Sequence, residues 1–233
     1  MAIEHANHVA LSLQEQLPIW LIVIPFITAP LILLLGNKQL AWLLSFIATG
    51  ISLFISILLT LHLKTGGVIS YHIGGWAPPI GIEYRIDATN ALILLLISSI
   101  GTVVLPYAYK SVNNEINPKH HTLFYACYML CFTGLMGIVI TGDAFNIFVF
   151  LEISSLATYV LVAMGAYKDK RALTAAYDYL ILGTIGATFF VIGIGFLYMA
   201  TGTLNLVDLA ERISDQGLNR TIRAGFGFIV IGL

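Results

Sequence analysis

Two acidic residues, Glu152 and Asp178, lie within otherwise apolar stretches of the chain. The stretch around Glu152 holds about twenty residues, enough to cross a bilayer as a helix at ~1.5 Å per residue. Counted from Asp143, Glu152 lies ~13 Å down that helix, close to the bilayer centre. A charged side chain there costs at least ~2.5 kcal/mol, so a functional role is the default hypothesis. The two acids therefore indicate a pathway for protons or cations.

Both acids also have alternative interpretations. Asp178 follows Arg171 by ~10 Å of helix, so it could lie at the membrane interface and pair with Lys168 or Lys170. If it lies beside Glu152 instead, the two carboxylates would disfavour double ionisation, and they would share a proton or a cation. Glu152 has a structural alternative, in which it hydrogen-bonds a nearby hydroxyl, that of Ser154, Ser155 or Thr158.

Composition places the chain among membrane proteins. Of its 233 residues, 58% are hydrophobic and 10% are charged, whereas soluble domains carry about 25% charged residues. The net charge of −1 offers no basic face for nucleic acid. Cys127 and Cys131 have no nearby ligands that would complete a metal site, and we expect them to pack in a helix. No cofactor is expected, because the chain has neither a glycine-rich phosphate loop nor an iron–sulfur cysteine set.

The apolar segments predict an all-α polytopic membrane protein with six complete spans and the start of a seventh. The predicted spans are residues 18–35, 40–63, 88–108, 123–140, 144–166 and 173–199, followed by the apolar segment 225–233. Pro106 and Tyr107 are expected to end the third span. The last segment covers only ~14 Å, half a bilayer, so we expect either a fragment or a helix completed by something else.

Two polar intervals predict structure at the membrane surface. Residues 64–87 alternate on both sides of a Gly- and Pro-rich turn, which favours a β-hairpin with Trp76 at the headgroup level. Residues 201–218 predict a short amphipathic helix. Asp87 and Asp143 are predicted to be helix N-caps, and His120 and His121 are expected at a solvated helix start.

Small residues recur within the predicted spans, where they favour close packing between helices. They are Ser45, Thr49, Ser52 and Ser56 in the second span, Gly134 and Gly137 in the fourth, and Gly183, Gly186, Gly193 and Gly195 in the sixth.

The distribution of Lys and Arg predicts the orientation. The turn 167–171 carries three positive charges, whereas the turn 141–143 carries none, which favours an outside N-terminus in the cell inner membrane. The hairpin would then be extracellular. Residues 1–17 contain no Lys or Arg, so we do not expect a cleavable signal.

Three stretches resemble the antiporter-like membrane subunits. They are TGDAFNIFVFLEISSLATYVLVAMGA, AAYDYLILGTIGATFFVIGIGFLYMATGTLN and the hairpin GGWAPPIGIEYRID, which is most like the Mrp D-type version. This family includes large subunits of Mrp-type sodium/proton antiporters, proton-pumping subunits of respiratory complex I, and relatives in membrane-bound hydrogenases. The resemblance covers nearly the whole chain.

The resemblance implies a fold of about fourteen helices with inverted repeats of about five helices each, the first repeat beginning at the fourth span. The chain would then divide into an N-terminal three-helix region, residues 1–122, and the first part of a translocating repeat, residues 123–233. Glu152 matches the family's fifth-helix glutamate, which in relatives pairs with a lysine on the seventh, broken helix. That lysine would be expected just beyond Leu233.

One departure from the family lies at Asp178. Relatives commonly have Lys in an Ala-Ala-x-Lys-Tyr pattern, where this chain reads Ala-Ala-Tyr-Asp-Tyr at 175–179. An anion in place of a cation inverts the local field, which could alter ion preference or disable a relay.

Three functions follow as alternatives. The first is an ion-translocating subunit of an Mrp-type monovalent cation/proton antiporter, a transporter subunit rather than an enzyme, with protons and Na+ or K+ as its ions. The second is a proton-pumping subunit of an NADH–quinone oxidoreductase or hydrogenase complex. The third is a truncated assembly subunit without transport. In each, the expected partners are the lipid bilayer and other membrane subunits.

Overall fold

The computed structural model describes residues 16–233, without the side chains of 64–66, and in that range contains eight α-helices, three short 3-10 helices and one two-stranded sheet. The prediction for residues 1–17 therefore falls almost wholly outside the described residues. The elements are α1 (Leu17–Leu35), α2 (Lys38–Gly66), β1 (Ile69–His72), β2 (Glu83–Ile86), α3 (Ala88–Glu115), α4 (His121–Ile140), α5 (Ala144–Met164), α6 (Arg171–Thr201), α7 (Leu206–Gln216) and α8 (Arg220–Gly232).

The six predicted spans correspond to α1 through α6, each of which is long and apolar enough to cross a membrane. The chain is therefore a multi-pass membrane protein. Asp87 Oδ1 accepts hydrogen bonds from the Thr89 and Asn90 amides at the start of α3, and Asp143 Oδ1 accepts one from the Asn146 amide at the start of α5. Both predicted N-caps are confirmed.

The predicted end of the third span was wrong. Helix α3 continues through Pro106 to Glu115. Proline removes only one backbone hydrogen bond, and a membrane offers the remaining backbone groups no alternative partner, so the helix persists. The neighbouring carbonyl of Leu105 accepts a 2.8 Å hydrogen bond from the indole N–H of Trp42 on α2, which ties this part of α3 to the bundle.

Two further predictions near helix starts were wrong in part. Helix α4 begins at His121 and His120 is exposed, as predicted, but His121 is buried, and its Nε2 lies 3.0 Å from the carbonyl oxygen of Ile116. Helix α8 begins at Arg220, five residues before the predicted apolar segment, because the Asn219 side chain caps the amide of Ile222 at 2.9 Å. Hydropathy alone missed this first turn because it is polar.

The helices pack through small residues, and most of the small residues that were predicted to allow close packing do so. The hydroxyl-bearing face of α2 is fully buried, and each hydroxyl donates to a carbonyl of its own helix. Gly134 on α4 lets the Ser154 region of α5 approach, since a Cβ at Gly134 would lie 2.6 Å from the Ser154 Cβ. Gly195 is the exception, because nothing lies within 4 Å of its Cβ position.

The hairpin forms as predicted, with β1 and β2 antiparallel and Ile69 opposite Ile86. Its second strand reaches the turn between α4 and α5, where the backbone of Tyr84 forms a bridge with Thr141. A second bridge joins Asp143 to Asn205, in the connection between α6 and α7. The hairpin and the two inter-helix connections therefore meet at one end of the bundle.

Candidate ion-translocation site

Glu152 lies near the middle of α5, ~13 Å from its N-cap. Its side chain is half-buried. Within residues 16–233 the structure contains no hydrogen bond or ion pair to this carboxylate. A mid-helix carboxylate that has no such partner within residues 16–233 has oxygens available to a proton or a cation.

Two of the three hydroxyls that would make Glu152 structural are engaged elsewhere. Ser154 Oγ donates to the Leu151 carbonyl at 2.9 Å, and Thr158 Oγ1 donates to the Ser154 carbonyl at 2.7 Å. Within residues 16–233 the third, Ser155, makes no hydrogen bond to Glu152. The structural alternative therefore has no support in these contacts.

A hydroxyl-bearing face extends from Glu152 towards the α5–α6 turn. Ser155 and Tyr159 follow Glu152 by three and seven residues, so all three lie on one side of α5. The ring of Tyr159 meets that of Tyr179 on α6 edge-on, with centroids 5.1 Å apart. The Tyr159 hydroxyl lies against Gly183 of α6. Sequence reasoning missed this group, although the spacing of an acid, a serine and a tyrosine on one helix face was visible.

Asp178 is exposed and lies on the other side of α6 from the residues that pack inward. It is two positions from buried Ala176, which is ~200° around the helix. Along the helix axes, Asp178 lies at the same height as Tyr159. That height is two helical turns (~10 Å) from Glu152. The structure thus does not bring the two acids together. The interfacial pair with Lys168 does not form either, because Lys168 Nζ lies 3.9 Å from Glu115 Oε1 instead.

A second polar cluster occupies the opposite end of α5, where the hairpin meets the connections. Glu83 is 5% exposed and accepts hydrogen bonds from Ser70 Oγ at 2.6 Å and from Asn205 Nδ2 at 3.0 Å. Burial raises the pKa of Asp143 above its usual range, although amide donors to the carboxylate oppose that shift. Burial also raises the pKa of Tyr84 to about 12. This cluster holds the N-terminus of α5, the helix that carries Glu152.

No group of three or more His, Cys, Asp or Glu side chains that would hold a metal ion occurs within residues 16–233. The free carboxylate of Glu152 and the hydroxyls beside it are groups that exchange protons.

Comparison with known proteins gives matches over most of the chain. Residues 141–233 match the family described as NADH:quinone oxidoreductase/Mrp antiporter, transmembrane. The N subunit of the NADH-quinone oxidoreductase of Desulforudis audaxviator is 37% identical over 94% of this chain and 43% of its own length. The D-type subunit of the Na(+)/H(+) antiporter of Bacillus subtilis is 34% identical over 84% of this chain and 39% of its own.

A solved structure shows the same fold. The membrane-bound sulfane sulfur reductase, an archaeal respiratory membrane complex, contains a chain with a TM-score of 0.85 and 32% identity, covering 93% of this chain and 44% of that one. In each comparison the chain spans less than half the length of the relative it matches.

Proposed function

Because residues 141–233 belong to the NADH:quinone oxidoreductase/Mrp antiporter transmembrane family, we propose that this chain forms part of an ion-translocating subunit of a multisubunit monovalent cation/proton antiporter. Glu152 is the proton-binding group. The observation that carries the proposal is the half-buried carboxylate at mid-helix in α5, which has no hydrogen-bond or ion-pair partner in residues 16–233.

The mechanism follows from the cost of a charge at this depth. A carboxylate in a low-dielectric site favours its neutral form, whereas a nearby ammonium favours the charged form. Bringing a lysine to Glu152 would release its proton, and withdrawing the lysine would load one. Water entering the site weakens the ion pair, so hydration would gate the step. Cation movement elsewhere in the complex would drive that exchange.

A proton-pumping subunit of a quinone-reducing or related respiratory complex is the second candidate. It is supported by the 37% identity to the N subunit of an NADH-quinone oxidoreductase and by the 32% identity to the chain of the sulfane sulfur reductase. The same Glu152 chemistry would operate there, with redox reactions in other subunits as the driving force. The two functions differ in what starts transport, a cation gradient or an electron donor.

Several finer features belong to the same proposal. The whole subunit would have the family's fold of about fourteen helices, with its translocating repeat beginning at residue 123 and residues 1–122 outside that repeat. The basic turn 167–171 supports an outside N-terminus and an extracellular hairpin. Asp178 would act as a relay only through groups outside residues 16–233, which its exposed position on α6 allows.

The test is transport by inverted vesicles that carry the assembled complex, with the pH gradient followed after addition of Na+ or K+, or of an electron donor. We expect Glu152→Gln to lower the rate about 100-fold or more, as for removal of a proton-transfer group, and Glu152→Asp to retain part of it. Glu115→Gln, at a half-exposed glutamate near Lys168, is the matched control, and Asp178→Asn tests the second acid. Full transport by an assembled Glu152→Gln complex would overturn the proposal.

A further inference from the structure

The first turns of α6 carry polar side chains that make no contact with other polar groups of the chain. Lys170 immediately precedes the helix, and Thr174 and Tyr177 follow it by four and seven residues, so all three lie on one face. All three are exposed. Within residues 16–233 none of their side chains forms a hydrogen bond or an ion pair. This face points away from Tyr179, whose ring packs on α5.

Thr174 differs from the other threonines of α6. Thr184, Thr188 and Thr201 each donate to the carbonyl four residues earlier, at 2.7–2.8 Å, which is a common way to satisfy a hydroxyl within a helix. Thr174 forms no such bond to the Lys170 carbonyl in the described part of the chain. Its hydroxyl is therefore free to donate to a ligand.

Apolar side chains continue the same face towards the middle of α6. Leu173 is 56% exposed and Ile181 is 42% exposed, and they follow Lys170 by three and eleven residues. Residues 179–199 carry no charge and cover ~31 Å as a helix, which matches the hydrocarbon core of a bilayer. The three polar residues precede that stretch, so we expect them at the level of the lipid headgroups.

The end of the bundle around this face is basic. Successive spans alternate in direction, so the α1–α2, α3–α4 and α5–α6 connections share one end. The helix ends and connections there carry six Lys or Arg and two acids, namely Lys38, Lys110, Lys119, Lys168, Lys170 and Arg171 with Glu115 and Asp169. The helices that start there, α2, α4 and α6, have no acid in their first turn, although the helix dipole favours one. An anion from outside the chain would suit this end.

We propose that the outer face of α6, formed by Lys170, Leu173, Thr174, Tyr177 and Ile181, binds an anionic phospholipid. The Lys170 ammonium and the hydroxyls of Thr174 and Tyr177 donate to the phosphate oxygens, in hydrogen bonds that the phosphate charge strengthens. An acyl chain lies along Leu173 and Ile181. The bound lipid stabilises the start of α6, and the proposal does not depend on ion transport.

Lys170 is the cation of the turn that is most available to a lipid. Lys168 Nζ lies 3.9 Å from Glu115 Oε1, and Arg171 Nε lies 3.7 Å from Asp169 Oδ2. Each of those two cations already has an acid nearby. The Lys170 ammonium has no such partner within residues 16–233.

The test uses the assembled complex in phosphatidylcholine vesicles that contain a small amount of a photoreactive lipid. The photoreactive lipid is phosphatidylglycerol or, in a parallel sample, phosphatidylcholine with the same acyl chains. Mass spectrometry measures the label on the α6 peptide, and the ratio of the two yields is the preference for the anionic lipid. We expect that preference to exceed one in wild type.

Three variants locate the binding site. Lys170→Gln should lower the preference about fivefold, the effect of one basic residue near an anionic headgroup. Thr174→Ala combined with Tyr177→Phe removes both hydroxyls and should lower it as well. Arg220→Gln is the matched control, because Arg220 is an exposed basic residue at the first position of α8, at the opposite end of the bundle. It should match wild type.

Four results would overturn the proposal. Equal labelling by the two lipids in wild type would show that this face has no preference for an anion. No labelling of α6 by either lipid would show that another subunit covers the face. An equal loss in Lys170→Gln and Arg220→Gln would indicate only a general attraction between surface charge and lipid. An unchanged preference in the variant that lacks both hydroxyls would remove the phosphate from the place that we assign to it.

Discussion

Asn205 Nδ2 donates a 3.0 Å hydrogen bond to Glu83 Oε2, joining residues 122 positions apart in the chain. The same asparagine accepts from the Val207 and Asp208 amides and so caps α7. The backbone carbonyl of Glu83 accepts from the Gly142 amide at 2.8 Å. One glutamate therefore holds the hairpin, the α4–α5 turn and the start of α7 together. We call this meeting point of Glu83, Gly142 and Asn205 the joint, and α5 begins next to it.

Glu83→Ala should destabilise the joint. The change leaves the buried Asn205 amide without its acceptor, which costs about 1–3 kcal/mol. We expect a lower thermal midpoint in detergent and faster proteolysis of the hairpin. Glu211→Ala on the exposed face of α7 is the matched control. Equal midpoints for the two variants would show that the joint contributes nothing to stability.

Sequence patterns could not identify Glu83 because the burial of β2 does not follow the alternation of apolar and polar residues in its sequence. Glu83 and Tyr84 are adjacent, yet both are buried, since the α6–α7 connection covers one side of β2 and the α4–α5 turn meets its backbone. The N-caps Asp87 and Asp143 were predictable because a cap depends on residues within one turn. Contacts across 122 residues carry no such local signal.

In the same way, the sequence did not predict which faces of the spans lie against each other. Hydropathy located the six spans, because length and composition suffice for that. It could not tell that Asp178 points away from α5 while Tyr179 points towards Tyr159, since α6 is apolar on all sides in a membrane. The position of Glu152 along its helix was thus predictable, whereas its neighbours on other helices were not.

Lowering the pH should weaken the packing of α7 on the end of α6. Arg212 Nε donates to Asp208 Oδ1 at 2.9 Å and its Nη1 donates to the Thr201 carbonyl at 2.8 Å, so the pair docks α7 on the end of α6. The hydrogen bond from Arg212 lowers the pKa of Asp208 below its usual 3.8. A lowered carboxyl pKa gives stability above the unfolded-state pKa that is lost as pH falls through the folded-state pKa.

Hydrogen exchange of the α7 amides measures that loss. After correction for intrinsic rates, protection should be constant down to about pH 5 and should fall below the ordinary Asp pKa of ~3.9. Asp208→Asn should exchange faster at neutral pH and should lose most of this pH dependence. Asp215→Asn, at an exposed position of α7, should behave as wild type. Unchanged protection at about pH 3 in wild type, below that ordinary pKa, would refute the role of the pair.

Gly193 should tolerate no side chain, because α6 and α8 meet there backbone to backbone. A Cβ at Gly193 would lie 2.7 Å from the Gly225 carbonyl oxygen and 2.9 Å from the Ile229 backbone nitrogen, neither of which can move without shifting α8. Overpacking of this kind costs about 1–3 kcal/mol, so Gly193→Ala should lower the thermal midpoint of the complex and reduce its yield. Gly195→Ala makes the same change two residues away, where nothing lies within 4 Å. It should be neutral or slightly stabilising, since alanine favours a helix over glycine. If Gly193→Ala is as stable as Gly195→Ala, the close approach of α6 and α8 does not hold this part of the bundle together.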